Sequence, residues 1–502
     1  MIEILQGILT LSNLLWMNIG VAAGIVIGVL PGLGSNFAIT VLLTLTFGMD
    51  SYAGIFLLLG AYCGATYGGS ISAILINTPG TTNAVATTFD GYPLAQKGRA
   101  GDALNAALYA STIGGFVSAL ALLFFAPQLA KVVLLIASPE YFCLCIFGLC
   151  AVVSIAGTNV IKGLISACFG LLLSCVGLDP IYGTSRMMFG SYKLLSGFKV
   201  VIILLGCYAL STVFLNFKST YLSAKTGDKP IEFTKSKMRF IDTFKYWKTL
   251  LRSSIYGIAI GAIPGTGAAL ASMLCYNEAR RHSDHPEAFG KGEIEGVVAP
   301  ECGNNAVTGA TLIPLLTMGI PGDSCMAILL GALTMQGIAP GIALFSEGSV
   351  WVYVIMGGLL LINVFMLIQG RLFVRAFANC AKIPLAVMLP CIVVVCCVGA
   401  YSVGTTFDVA VMLVFGAVGY AMKRFDFPIP PVAIGLVLGT LCETNLRRSL
   451  AIYGNDLTVF LTRPVSLFIL LLCVLFLFGA RIKRLWKGRR AAKGSEAQAE
   501  KK

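Results

Sequence analysis

Long apolar runs alternate with short polar stretches along the chain, and several runs reach the roughly 17 to 25 residues that a membrane-spanning helix needs. The chain has 502 residues, of which 57% are hydrophobic and 12% are charged. The pattern predicts uninterrupted spans near 104–126, 132–156, 163–178 and 198–216 in the first half, and near 350–370, 384–401, 406–422, 430–442 and 464–480 in the second. This pattern is typical of an all-α polytopic membrane protein.

Four apolar stretches are interrupted by a Pro-Gly pair, in the same order in both halves. The pattern Gly-x-x-Pro-Gly-x-Gly occurs at 28–34 and at 261–267, and further Pro-Gly pairs follow at 79–80 and 321–322. Proline removes a backbone donor and glycine loosens φ, so each pair breaks a helix and frees backbone polar groups. Because lipid cannot satisfy these groups, each break is expected to be buried in protein or to line a wet site.

The stretches 17–48 and 253–276 are predicted to form re-entrant helical hairpins, since each is too short for two spans and too interrupted for one. Broken helices are predicted at about 53–88 and 305–340, around the second Pro-Gly pairs. Two broken helices and nine uninterrupted spans give eleven predicted crossings.

The charges beside the hairpins predict that the two enter from opposite faces. The first hairpin lies between Glu3 and Asp50, and no basic residue precedes Lys97. The second lies between Arg252 and Arg280. Since basic residues mark the cytoplasmic side, the first hairpin enters from outside and the second from the cytoplasm, as two inverted-topology repeats require.

Seven cations fall on the outer side of this topology, against the charge rule: Lys131, Arg186, Lys193, Lys199, Arg447, Arg448 and Arg463. The predicted division of the chain is a first inverted repeat at 1–216 (hairpin tip 31–35, helix break 77–83), a cytoplasmic basic linker at 217–252, a second inverted repeat at 253–463 (tip 264–267, break 319–324), an extra membrane helix at 464–480 and a basic cytoplasmic tail at 481–502.

The net charge of +13 comes from two short stretches. Residues 217–252 carry nine basic against three acidic side chains, and 481–502 carry nine against two, which accounts for the whole excess. Basic clusters beside membrane segments indicate the cytoplasmic side and contact with anionic lipid headgroups of the bilayer. No base-reading pattern accompanies them, so nucleic acid is not an expected partner.

Four stretches resemble the large membrane (permease) subunit of the tripartite tricarboxylate transporter family. They are GVLPGLGSNFA at 28–38, YGGSISAILINTPGTTNAVATTFDGYPLAQKGRAGDAL at 67–104, AIPGTGAALA at 262–271 and EAFGKGEIEGVVAPECGNNAVTGATLIPLLTMGIPGDSCMAILLGAL at 287–333. Together they cover the cores of both predicted repeats.

The resemblance implies a multi-pass permease of the bacterial inner membrane. Its implied partners are a small four-helix membrane subunit and a periplasmic substrate-binding protein that delivers a carboxylate, citrate-like in the best-known members. It also implies elevator-type transport driven by a gradient of sodium or protons, with no cofactor.

A carboxylate substrate needs positive potential, yet neither second Pro-Gly region contains Lys or Arg. A fixed cation at the bilayer centre costs roughly 3 kcal/mol or more. Restarting half-helices instead present free N–H groups and about half a positive charge, and the hairpin glycines are expected to let the tips approach closely. The predicted substrate-binding residues are Gly32, Gly34, Ser35, Asn36, Thr81, Thr82, Asn83, Gly265, Thr266, Gly267 and Ser324.

A coupling cation needs oxygen ligands, which unwound carbonyls and a carboxylate can supply. The predicted coupling-ion residues are Asn77, Thr78, Gly80, Gly319, Ile320, Gly322 and Asp323. Asp323 is the only carboxylate adjoining any of the four interruptions. It either binds sodium, carries a proton or caps a helix N-terminus. Beyond this sodium ion no metal is expected.

Three further polar positions have open interpretations. Asn304 and Asn305 either cap the incoming helix or line the site. Asp90 is interpreted as a cytoplasmic turn residue rather than a ligand, and Glu301 similarly.

Two other classes of function compete with a transporter. A membrane-embedded transferase would need acidic metal-binding clusters or a His/Cys/Asp constellation, and His282 and His285 beside Asp284 lack supporting ligands. A passive anion channel is the other alternative: duplicated hairpins of opposite entry favour alternating access, but only flux against a gradient separates a transporter from a channel. The sequence therefore favours a secondary transporter and not an enzyme.

Overall fold

The computed structural model describes residues 2–133, 136–155, 159–222, 236, 238–264, 267–338, 340–341, 344–345, 350–380 and 385–477. The predicted basic tail at 481–502 and the predicted site residues Gly265 and Thr266 lie outside these ranges, and the predicted linker at 217–252 is described only in part.

The first half consists of helices joined by short turns. In chain order they are α1 (Ile2–Leu9), α2 (Leu11–Val29), α3 (Gly34–Leu43), α4 (Ser51–Ile76), α5 (Val85–Leu94), α6 (Ala100–Val133), α7 (Ser138–Ile155), α8 (Val160–Ser174), α9 (Val200–Leu204) and α10 (Ser211–Leu222). A two-residue antiparallel pair, Gly177–Leu178 with Ser185–Arg186, lies between α8 and α9.

The second half also consists of helices joined by turns and loops. Its helices are α11 (Trp247–Ala262), α12 (Gly267–His282), α13 (Glu295–Ala310), α14 (Leu312–Met318), α15 (Ser324–Met335), α16 (Val350–Cys380), α17 (Leu385–Val403), α18 (Thr406–Arg424), α19 (Pro430–Ile452), α20 (Val459–Thr462) and α21 (Pro464–Leu477).

The predicted all-α membrane class is confirmed. Among the described residues, five helical stretches are long and apolar enough to cross a membrane by themselves: Leu11–Val29, Ser51–Ile76, Thr82–Val133, Val350–Cys380 and Thr406–Arg424. The other apolar helices have 10–17 residues. The eleven crossings, the inverted topology and the division of the chain therefore remain predictions.

Helix α2 packs on α4 with the two backbones in contact. Three glycines on each helix, four residues apart, lie along the contact: Gly20, Gly24 and Gly28 on α2, and Gly60, Gly64 and Gly68 on α4. A Cβ atom at any of them would overlap backbone atoms of the facing helix. Small residues at this spacing let membrane helices approach closely. The contact fixes the first hairpin on the helix that precedes the first break.

The second half holds its hairpin in the same way. Gly257 and Gly261 of α11 lie against α13, where a Cβ at Gly257 would meet the Gly303 carbonyl oxygen at 2.5 Å. Both hairpins are thus packed on the helix that leads into the neighbouring break.

Helix α4 forms the centre of the molecule and is buried from Ala53 to Leu75. The halves also exchange packing partners around it. Helix α6 of the first half packs on α13 of the second, and α16 of the second packs on α4 of the first. Farther from the centre, α8 packs on α19, and the π-helical segment Leu205–Leu210 packs on α18.

Four of the seven outer cations that break the charge rule are each paired with a carboxylate: Arg186 with Glu443 at 2.6 Å, Arg447 with Asp179 at 2.6 Å, Lys199 with Asp408 at 3.2 Å, and Arg463 with Glu140. The backbone N–H of Tyr182 and the Arg447 guanidinium hold the pKa of the Asp179 carboxyl well below its usual range. These four cations therefore have a local counter-charge, whereas Lys131, Lys193 and Arg448 form no ion pair within the described residues.

Candidate functional site

All four interruptions meet at one cavity of about 570 Å³. Most of the predicted site residues that the structure describes line this cavity. They are Gly32, Gly34, Ser35, Asn36, Gly80, Thr81, Thr82, Asn83, Gly267, Asp323 and Ser324. These residues come from both hairpin tips and both helix breaks. Of the predicted substrate-binding residues, only Gly265 and Thr266 cannot be placed, since they lie outside the described residues.

The described lining of the cavity is largely apolar, and it contains several polar groups but no cation. Among the described lining residues, Asp323 is the only charged side chain, and hydroxyl and amide groups supply most of the remaining polar atoms. An anion in this space would therefore be bound by neutral hydrogen-bond donors and by helix dipoles.

The hairpin-tip glycines serve a different purpose from the one expected. Gly32, Gly34 and Gly267 have φ angles of 81°, 76° and 71°, which side-chain-bearing residues rarely adopt. No heavy atom lies within 4 Å of where their Cβ atoms would be. The expectation that they allow close approach of the tips is therefore wrong, and their role is to let the chain turn from one hairpin helix into the next.

At the first break, the helix ends abruptly and restarts late. Asn77 ends α4 in the left-handed conformation with φ 52°. The chain then passes through a single 3₁₀ turn at Thr82–Ala84, and α5 begins only at Val85, without a side-chain cap. The Thr81 side chain is 3% exposed, and its hydroxyl has no hydrogen-bond partner. This break therefore contains a buried polar group that remains available.

At the second break, the restarting helix is capped. Gly319 ends α14 in the left-handed conformation with φ 69°. Asp323 then precedes α15, and its Oδ1 accepts a hydrogen bond of 2.8 Å from the Met326 N–H. The Tyr62 hydroxyl donates to Oδ2 at 3.0 Å. The interpretation of Asp323 as a helix cap is thus confirmed, while the same carboxylate also faces the cavity.

The predicted coupling-ion residues do not all reach this cavity. Only Gly80 and Asp323 line it. Asn77 and Thr78 are exposed and do not line it, and the remaining three are buried without lining it: Gly319, Ile320 and Gly322. A cation in the cavity would thus have Asp323 as its one charged ligand among the described residues.

Asn304 and Asn305 lie in the middle of α13, which begins at Glu295. The alternative that they cap the incoming helix is therefore wrong, and neither lines the cavity. Both are fully buried, and neither polar side-chain atom of Asn304 has a hydrogen-bond partner.

Glu301 is a functional candidate that sequence reasoning missed. It is fully buried in α13 rather than placed in a turn, and it accepts hydrogen bonds from Thr87 and, at 3.0 Å, from Ser111. These hydroxyls belong to α5 and α6, so the carboxylate joins the two halves. Its spacing from Asn304 and Asn305 on one helix was the available signal, since positions i, i+3 and i+4 share a face.

Asp90 is also misplaced by the sequence interpretation, because it is a buried residue of α5 and not of a cytoplasmic turn. Its oxygens accept hydrogen bonds of 2.8–3.0 Å from the Tyr276 hydroxyl and from the backbone N–H groups of Gly290, Gly292 and Glu293. Through these hydrogen bonds, Asp90 connects α5, the helix that follows the first break, to the loop before α13. Within the described residues, no group of three or more His, Cys, Asp or Glu side chains could hold a metal ion.

Comparison with known proteins identifies the family. Residues 14–434 match the tripartite tricarboxylate transporter TctA family. A protein of Agrobacterium vitis, described as an uncharacterized 52.8 kDa protein in the TAR-I ttuC' 3' region, is 37% identical over 459 residues, which are 91% of each chain. A second protein of that organism, described as an uncharacterized protein in the TAR-II ttuC' 3' region, is 36% identical over 223 residues, covering 44% of this chain and 92% of its own.

No solved structure gives a significant match to the chain. The family match nevertheless spans both hairpin tips and both helix breaks that line the cavity. The chain therefore belongs to the tripartite tricarboxylate transporter TctA family.

Proposed function

We propose that this chain is the permease of an ion-coupled importer of tricarboxylates or related carboxylates. The observation that carries the proposal is the cavity where all four interruptions meet, because its described lining combines broken backbone, hydroxyls and amides and contains no basic side chain. The substrate is held at the first break by Thr81, Thr82 and Asn83, and across from it by Ser35 and Asn36 of the first hairpin tip. Ser324 and the tip of the second hairpin complete the site.

Coupling to a cation follows from the position of Asp323. A carboxylate substrate about 4 Å from this side chain would be repelled by about 4 kcal/mol at an effective dielectric constant of 20. A sodium ion or proton bound at Asp323 removes this repulsion. Substrate and cation therefore enter the cavity together, and the gradient of the cation drives uptake.

Alternating access is the expected mode of transport. The same order of interruptions in both halves, and the exchange of packing partners between them, support two inverted repeats with re-entrant hairpins. We propose that the hairpins and broken helices move together as an elevator relative to the remaining helices. This movement carries the cavity from one face of the membrane to the other.

The family supports a proposal for the assembly in which this chain works. We propose that a periplasmic substrate-binding protein delivers the carboxylate and that a small four-helix membrane subunit joins this chain in the bacterial inner membrane, with the C-terminus in the cytoplasm. Citrate uptake by proteoliposomes tests this directly: the complete assembly should import citrate, whereas this chain alone should not. Full-rate import by this chain alone would refute the dependence on the binding protein.

Movement against a gradient separates the proposed transporter from a passive anion channel. Proteoliposomes with an imposed sodium or proton gradient should accumulate citrate above its external concentration, and a channel would only equilibrate it. Asp323→Asn and Thr82→Ala should abolish this accumulation while leaving membrane insertion intact. Thr88→Ala is the matched control, since the Thr88 hydroxyl bonds the Val85 carbonyl and does not line the cavity. Normal accumulation by both test variants would remove these residues from the site.

A further inference from the structure

A second cavity of about 640 Å³ adjoins the central one. Gly32, Leu33, Asn36 and Pro430 line both cavities, so the two spaces meet at the tip of the first hairpin. The other walls of the second cavity are the start of α8, the π-helical segment before α10 and the loop between α18 and α19.

The second cavity carries the basic side chains that the first one lacks. Lys423 and Lys162 both line it, and both are half-buried. The Lys423 ammonium donates a hydrogen bond of 2.7 Å to the Thr212 hydroxyl. The Lys162 ammonium donates one of 2.7 Å to the Phe425 carbonyl and lies 5.4 Å from the centre of the Phe427 ring.

The partners of these two lysines are neutral, unlike those of the four paired outer cations. Within the part of the chain that the structure describes, neither lysine forms an ion pair, whereas Arg186, Arg447 and Arg463 all do. The exposed Asp426 is the only carboxylate in the described lining of the second cavity. With two lysines against one carboxylate, this lining carries a net charge of +1.

We propose that the second cavity is a second binding station for di- and tricarboxylates, between the central cavity and the aqueous phase on the side of Lys162 and Lys423. This inference rests on the proposed function of the central cavity. A lysine is costly at the bilayer centre but is tolerated near a helix end, where its head group reaches water. Neutral hydrogen bonds position both ammonium groups without cancelling their charge.

In this proposal the central cavity holds the anion during transport, and the second cavity helps to release it. The central cavity binds the carboxylate through dipoles and hydroxyls, which can be moved through the membrane without burying a fixed cation. Lys162 and Lys423 then attract the anion from the central cavity into the second one, since a cavity lined by one sign of charge raises the local concentration of its counter-ion. The predicted topology places Lys162 and Lys423 on the cytoplasmic side, where an imported carboxylate leaves.

The charge of the second cavity can be measured without any transport. Pro428→Cys places a thiol in its half-buried lining, in a parent chain whose exposed Cys168 and Cys391 are replaced by serine. An anionic methanethiosulfonate should label this thiol faster than a cationic one. Lys162→Gln with Lys423→Gln should lower the ratio of the two rates by about tenfold. Labelling of the parent without the new cysteine is subtracted.

Arg424→Gln is the matched control, because Arg424 is exposed next to Lys423 but does not line the cavity. It should leave the labelling ratio unchanged. Glutamine keeps an N–H donor at each position and removes the positive charge, so the two lysine variants test the charge. A ratio that stays the same in the double variant, or that falls equally in Arg424→Gln, would overturn the proposal.

Citrate is the probe for the station itself. It should slow labelling of the new thiol in the parent chain and have at least about tenfold less effect in the double lysine variant. In the complete assembly, the double variant should also need a higher citrate concentration for half-maximal counterflow. Lys423→Arg in place of Lys423→Gln keeps the positive charge and should restore the lower concentration. If the assembly transports no citrate at all, the proposed function fails, while the labelling ratio still reports on the second cavity. Citrate protection that is equal with and without the lysines contradicts a carboxylate station.

Discussion

The two helix breaks occupy equivalent places in the two halves, yet their polar groups are satisfied to different degrees. At the second break, Asp323 caps α15 and accepts a hydrogen bond from Tyr62. At the first break, α5 begins without a side-chain cap, and the Thr81 hydroxyl is buried without a partner. A buried polar group without a partner costs about 1–3 kcal/mol. The first break thus retains unused donors for an anion, and the second carries the charge that calls for a cation.

Packing differs between the breaks as well, and this gives the largest expected effect. A Cβ at Gly80 would overlap the Gly28 carbonyl oxygen, which belongs to the rigid α2–α4 contact. At the matched position, a Cβ at Gly322 would lie 2.9 Å from the Thr311 side chain. Gly80→Ala should cost about 3 kcal/mol of folding free energy and Gly322→Ala about 1 kcal/mol. Thermal unfolding midpoints of the two purified variants check this, and equal losses would mean that both breaks are packed alike.

Asp323→Asn tests the charge of the second break. Asparagine is as good a helix cap as aspartate, so folding should be preserved. Without the carboxylate, the cavity no longer needs a cation to accept an anion. We expect gradient-driven accumulation of citrate to be lost, whereas citrate binding to the purified assembly becomes independent of sodium and pH. Isothermal titration with and without sodium, and at two pH values, measures this. Retained ion dependence in the variant would place the coupling site elsewhere.

Thr81→Val tests the unused donor at the first break. Valine has nearly the same shape and removes a hydroxyl that has no partner, so the unfolding midpoint should stay the same or rise. Citrate affinity should fall by about tenfold, since a hydrogen bond to a charged group contributes about 1.5–3 kcal/mol. Thr81→Ser keeps the hydroxyl and should retain most of the affinity. A lower unfolding midpoint without a change in citrate affinity would mean that the hydroxyl is structural.

The sequence predicted where the two helix breaks lie, but not which distant residues contact each break. Pro79-Gly80 and Pro321-Gly322 are visible because proline and glycine break helices wherever they occur. The local sequence also allowed a helix cap at Asp323 to be predicted as one alternative. Contacts between distant residues could not be predicted in this way. The Tyr62 to Asp323 hydrogen bond, the burial of Glu301 and Asp90, and the two lysines beside the hairpin tip all depend on how the two halves pack.

The smallest expected effect concerns the Tyr62 hydroxyl, which donates a hydrogen bond of 3.0 Å to the Asp323 carboxylate. Tyr62→Phe removes this donor and keeps the ring. Because a bound cation can replace the lost hydrogen bond, the apparent affinity for the coupling ion should rise by about threefold, as expected for a net contribution of about 0.7 kcal/mol. The concentration of sodium or protons that gives half-maximal citrate uptake measures this change. General damage to the second break would shift it the other way, so the sign alone tells whether Asp323 binds the ion.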